Sequence, residues 1–169
     1  MHHFMALHFA KFALMFSYLL IAITLLLGSQ APFSQEEYPQ EEYPVSWHIF
    51  TQKTGVRDFT IKFEAYIDKG WVIYGMESSS DGPVATSFNF NENSQFLLLG
   101  STIEDTKPEM KFEPLFDTEV LKFSQKAVFS QKVSKLGKSN VINGRIQYMA
   151  CDGTKCLPPT DVPFVALLK

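Results

Sequence analysis

Phe59-Thr60-Ile61-Lys62-Phe63-Glu64-Ala65-Tyr66-Ile67 is the stretch on which the fold turns. Phe59, Ile61, Phe63, Ala65 and Ile67 alternate with Thr60, Lys62, Glu64 and Tyr66, a period of two that gives a strand one buried and one wetter face. Asp68-Lys69-Gly70 supplies a turn before Trp71-Val72-Ile73-Tyr74. Upstream, Val45-Ser46-Trp47-His48-Ile49-Phe50 is strand-like. Downstream, strands are expected from Thr86 to Phe90, Phe96 to Leu99, Leu121 to Val133, Val141 to Ala150 and Val162 to Leu168, broken by Gly, Pro, Asn and Asp clusters. Nothing after residue 30 holds a helical period for three turns. About seven to nine short strands predict an all-β domain, an antiparallel β-sandwich with immunoglobulin-like topology.

The N-terminus is of another kind. One cation, Lys11, precedes the apolar run from Phe12 to Leu27, and no acid appears before Glu36. This is the pattern of a secretion signal, and the run falls short of the ~20 residues of a membrane-spanning helix. Residues 1–29 are therefore expected to be a signal peptide cleaved after Ser29, in preference to an uncleaved anchor. Membrane contact follows only if the segment is retained. Residues 30–44 form an acidic linker in which Gln-Glu-Glu-Tyr-Pro is written twice, a composition that favours an extended, solvated tether. The domain then runs over 45–169.

Charge and histidine content exclude several functions. The chain has 15 basic against 18 acidic side chains, and loss of the signal removes a base and no acid, so no nucleic-acid partner is expected. Of the 4 histidines, only His48 lies outside the signal. One His and two Cys cannot supply the four ligands of a structural zinc site, and neither a metal nor another cofactor is expected. A hydrolytic triad would rest wholly on His48, which reads as an ordinary strand residue.

The two cysteines, Cys151 and Cys156, flank Asp152-Gly153-Thr154-Lys155, and Asp-Gly is a tight-turn signal. A disulfide across so short a loop gains roughly 2 kcal/mol of loop entropy, a weak reason for a staple in a domain of this size. Spacing alone divides evenly between a redox pair and a local staple. Within the pair, Asp152 opposes a thiolate at Cys151 and Lys155 favours one at Cys156, which makes Cys156 the better attacking or attacked sulfur. Pro158-Pro159 either stiffens the segment carrying that sulfur or merely ends its strand. Phe123 and Phe129 read as inward core positions. Phe116 lies in Phe112-Glu113-Pro114-Leu115-Phe116-Asp117-Thr118-Glu119, which reads as a loop, and both core burial and a covering role are open to it.

Gly70-Trp71-Val72-Ile73-Tyr74, Gly82-Pro83-Val84-Ala85-Thr86-Ser87-Phe88, Phe129-Ser130-Gln131-Lys132-Val133 and above all Tyr148-Met149-Ala150-Cys151 with Cys156-Leu157-Pro158-Pro159 resemble the N-terminal periplasmic domain of the thiol:disulfide interchange protein DsbD. The resemblance covers about residues 45 to 169 and implies an immunoglobulin-like domain carrying reducing equivalents in the periplasm. It implies that Cys156 forms the mixed disulfide with partners and Cys151 resolves it. Phe116 resembles the phenylalanine of the family's cap loop, and Tyr74 the tyrosine lining the site. The implied partners are thioredoxin-like proteins, disulfide isomerases and cytochrome c maturation proteins. The usual member continues into a membrane relay and a thioredoxin-like domain, whereas this chain stops at Lys169, so electrons are expected to arrive in trans. A non-catalytic interaction domain with a structural hairpin disulfide is the alternative.

Overall fold

The computed structural model describes residues 43–77 and 81–169; the expected signal segment and all but the end of the linker lie outside them. The described residues form eleven strands: β1 (Val45–Lys53), β2 (Asp58–Ile67), β3 (Val72–Tyr74), β4 (Ser87–Phe90), β5 (Phe96–Glu104), β6 (Glu109–Glu113), β7 (Thr118–Phe123), β8 (Lys126–Lys135), β9 (Val141–Tyr148), β10 (Ala150–Cys151) and β11 (Thr160–Leu167). They make three antiparallel sheets, ordered β1-β2-β8-β5, β10-β3-β7-β6 and β11-β9-β4. The fold is immunoglobulin-like and all-β, as the alternating pattern predicts.

The alternating stretch becomes β2, paired on one side with β1 and on the other with β8, so that Phe63 faces Ile49 and Phe129 in register. Phe59, Ile61, Phe63, Ala65 and Ile67 are all buried, and so are Phe123 and Phe129. Opposite them, the third sheet contributes Ile142, Ile146, Tyr148, Phe164 and Ala166. The aromatic rings interlock: Phe63 lies 4.6 Å from Phe88 and 5.0 Å from Phe164, centre to centre, and Trp47 packs against Phe88, Phe129 and Tyr148. Gly144 makes room for this packing, because a Cβ there would stand 2.4 Å from the Phe164 ring. Pro163 is tolerated within β11 because that strand lies at a sheet edge. His48 is exposed on β1, its ring against Tyr66.

Three expectations need correction. The single strand expected from Leu121 to Val133 is two strands in different sheets. The chain leaves the second sheet after Phe123 and enters the first at Lys126, with Gln125 in the left-handed region at φ 65°. The strand expected from Val141 to Ala150 likewise divides at Met149, where the chain crosses from β9 to β10. Finally, the loop expected from Phe112 to Glu119 is a hairpin: β6 and β7 pair from Glu109↔Lys122 to Glu113↔Thr118, and only residues 114–117 form its tip.

Candidate functional site

The crossover at Met149 delivers Cys151 to the second sheet, where it pairs with Val72 while Ala150 pairs with Ile73. Cys151 and Cys156 are disulfide-bonded and face each other across an antiparallel bridge, Cα atoms 4.1 Å apart. The Asp152 N–H donates to the Lys155 carbonyl at 3.0 Å and the Leu157 N–H to the Ala150 carbonyl at 2.9 Å. These bonds flank the cysteines and leave them as a non-hydrogen-bonded pair, the narrower position of an antiparallel ladder.

The turn between them is held by its own polar groups. Gly153 takes a φ of 85°, which a side chain would resist. Asp152 Oδ1 accepts hydrogen bonds from the Thr154 hydroxyl, the Thr154 N–H and the Lys155 N–H at 2.7, 2.8 and 2.9 Å. These donors hold the Asp152 carboxyl below the usual carboxylate range, the Thr154 hydroxyl first among the causes. The Lys155 ammonium lies 5.8 Å from the centre of the Trp71 ring, a cation–π contact beside the hairpin.

Alternation along the second sheet separates two faces. Ala150, Ile73 and Phe123 enter the main core. Cys151, Val72, Tyr74, Val120, Lys122 and Glu113 share the opposite face through their register. On it lies a second, small cluster: Tyr74, Val120 and Cys151 are buried, with Val72, Phe116, Met149 and Cys156 packed around them. Cys151 is 0% exposed, whereas Cys156 is only partly covered.

Phe116 reaches this cluster from the β6–β7 tip. The Phe116 N–H donates to the Glu113 carbonyl at 3.1 Å, and Asp117 follows in the left-handed region at φ 51°. The Phe116 ring meets Tyr74 edge-on at 6.5 Å. Phe116 is thus half-buried over the disulfide cluster and outside the main core.

Tyr74 anchors the polar side of the site. Its hydroxyl donates to Glu113 Oε2 at 3.0 Å, and Lys122 Nζ donates to the same oxygen at 3.0 Å and to the Phe112 carbonyl at 3.3 Å. Burial, and then the adjacent Glu113 carboxylate, push the Tyr74 phenol well above its ordinary pKa. Behind it, the Thr86 hydroxyl donates to the Tyr74 carbonyl at 2.6 Å, which ties the Gly82–Phe88 segment to the site. Glu113 is 1% exposed, and its Oε1 has no hydrogen-bond partner among the described residues.

The structure therefore brings Cys151, Cys156, Tyr74 and Phe116 together, places Asp152 in the turn and sets Lys155 on Trp71. Sequence reasoning missed Glu113, Lys122, Val120 and Thr86. Glu109, Lys111 and Glu113 alternate as the solvated face of a strand would, so the burial of Glu113 had no signal.

No family model matches the chain, and no curated protein does either. Solved structures match in fold. The N-terminal periplasmic domain of ScsB from Proteus mirabilis superposes with a TM-score of 0.52 at 20% identity, covering 73% of this chain and 45% of that one. This chain thus spans under half the length of that ScsB chain. The complex between the DsbD and PilB N-terminal domains from Neisseria meningitidis matches with a TM-score of 0.50 at 15% identity, covering 77% and 87%. The reduced DsbD N-terminal domain from the same organism gives 0.48 at 15% identity, covering 72% and 84%. The chain shares its fold with the ScsB N-terminal periplasmic domain and with the matched chain of the DsbD–PilB complex.

Proposed function

We propose that this chain is a periplasmic thiol–disulfide exchange module that passes reducing equivalents between a thioredoxin-like or membrane-embedded donor and exported acceptor proteins. The observation that carries this reading is the placement of the disulfide. It lies outside the main core, in a small cluster roofed by one half-buried aromatic on a hairpin tip. A staple has little to do there, because the Asp152 hydrogen bonds already close the turn. The shared fold supports the compartment, and the DsbD N-terminal domain's complex with the PilB N-terminal domain supports a protein partner.

The chemistry follows from unequal access. A donor thiolate attacks Cys156 Sγ, the less covered sulfur; the Sγ–Sγ bond breaks and Cys151 leaves as a thiolate that takes up a proton. The donor's second thiolate then attacks its own sulfur in the mixed disulfide, which releases Cys156 and leaves the donor oxidised by two electrons. Toward an acceptor the steps reverse: the Cys156 thiolate attacks the acceptor disulfide, and Cys151 attacks Cys156 Sγ to expel the reduced acceptor. Lys155 favours the Cys156 thiolate and Asp152 disfavours that of Cys151. Phe116 shields the pair until a partner displaces it, and Tyr74 lines the site. Disulfide isomerases and cytochrome c maturation proteins are the acceptors we propose.

Equilibration with glutathione and thioredoxin buffers followed by mass spectrometry tests the reading. The expected potential lies above about −300 mV, the region below which structural disulfides fall. A pair that stays oxidised at strongly reducing poise sinks it in favour of a hairpin staple. The division of labour is tested by trapping: Cys151→Ser accumulates mixed disulfides through Cys156, and Cys156→Ser accumulates few. Equal trapping removes the assignment.

A further inference from the structure

Glu113 is a buried carboxylate with one of its two oxygens unpartnered among the described residues. A carboxylate offers about four acceptor sites, yet both donors that reach Glu113, the Tyr74 hydroxyl and Lys122 Nζ, converge on Oε2. Oε1 is buried without a partner among the described residues. A buried ion pair offsets its desolvation only when its remaining lone pairs are satisfied. Here one oxygen is left over.

Its position gives that cost a direction. Glu113 ends β6, and its carbonyl accepts the Phe116 N–H that closes the tip. The tip has little packing of its own: Pro114, Leu115 and Asp117 are exposed, Phe116 is half-buried and Asp117 sits at positive φ. A tip that lifted would take Phe116 off the Tyr74 ring, whose hydroxyl is bonded to Glu113, and would loosen the end of β6 that carries the unpartnered oxygen. Hydration of that oxygen would then offset part of the lost contact.

We propose that the buried Glu113–Lys122–Tyr74 network destabilises the closed position of the Phe116 tip, so that these three positioning residues set how often the Cys151–Cys156 pair is open to attack. The inference rests on the exchange reading and adds to it the residues that govern access. A network acting as a clasp, with its hydrogen bonds holding the tip down, predicts the opposite sign.

The test replaces the network by apolar groups of similar size, Tyr74→Phe/Glu113→Met/Lys122→Met, in the full chain. Two quantities are read: the rate at which dithiothreitol reduces the disulfide, and the urea midpoint. The expected result is a midpoint equal to or above that of the parent, with reduction slower by about five-fold or more, the low end of what one relieved buried polar group gives. An unchanged or faster reduction overturns the proposal. The milder pair Glu113→Gln/Lys122→Met keeps an acceptor for Tyr74 and exchanges the buried charges for a neutral amide and a thioether, so it is expected to slow reduction by a smaller factor. If neither variant folds, the network stabilises the closed domain and the proposal is overturned.

A Phe116→Ala background separates the tip from the sulfurs. There the pair Glu113→Gln/Lys122→Met, which leaves Tyr74 in place, is expected to leave the reduction rate unchanged, and a persisting effect shows that the network acts on the disulfide directly, which also overturns the proposal. Failure here is distinct from failure of the exchange reading. A structural potential in the parent sinks exchange and leaves the ratio of rates to judge the network. A ratio of one beside an exchange-range potential sinks the network alone.

Discussion

The two faces of the β10-β3-β7-β6 sheet are built to opposite rules. The inner face meets the other sheets through Ile73, Phe123 and Ala150, in a core of interlocked aromatic rings. The outer face buries only Tyr74, Val120 and Cys151 in its apolar cluster, beside a charge pair, beneath one aromatic from a hairpin tip. Large apolar area on one side makes opening costly, and scant area with an unsatisfied oxygen on the other makes it cheap. Regions that must open for partners are drawn from the low-stability end of a structure. The outer face has that character.

The comparison breaks first at the core. Phe129→Ala is expected to cost about 3–5 kcal/mol, read as a large fall in urea midpoint, because its ring touches Phe88, Phe123 and Trp47. Alkylation of the reduced pair in the folded state is expected to stay near the parent rate. Faster alkylation at matched folded population would mean that core and site open as one unit.

Phe116→Ala is expected to show the reverse pairing. Half-burial of one aromatic limits the loss to about 1 kcal/mol, while alkylation of the reduced pair by a small reagent accelerates several-fold. A core-sized midpoint loss with unchanged alkylation would make Phe116 a packing residue and leave the shielded-site mechanism without its shield.

The smallest effect concerns Asp152. Its carboxyl is held below the ordinary value by Thr154 and Lys155 donors, so its contribution is complete above the unfolded carboxylate pKa and is lost as pH falls through the lower, folded value. Acidification below about pH 4 should loosen the turn, seen as a shift of the Thr154 and Lys155 amide resonances. Asp152→Asn should abolish that titration. Persistence of the transition in the variant would assign it to another group.

Much of the fold was legible because burial on one side leaves a period of two in the sequence. β2 and the inward positions Phe123 and Phe129 could be read directly. The breaks at Ser124-Gln125 and Met149 could not, because a strand that changes sheets keeps its alternation while its partners change. The hairpin around Phe116 was hidden for a related reason: β6 is an edge strand with Met110 and Phe112 exposed, so its pattern never shows a buried side. Cys151, Cys156, Tyr74 and Phe116 were singled out from chemistry and resemblance. Their neighbours Glu113 and Lys122 were not, since isolated charges in a strand read as solvated.

The sequence by itself determined the strand-forming character of the domain, the local turn at Asp152-Gly153 and the closeness of the two cysteines, since each depends on residues within a few positions of one another. Tertiary structure alone decided which sheet each strand joined, that Phe116 packs against the disulfide cluster while Phe129 fills the core, and that Glu113 is buried on the site face. Those outcomes depend on register between segments tens of residues apart, and a one-residue shift in pairing would turn each of these side chains to the other face.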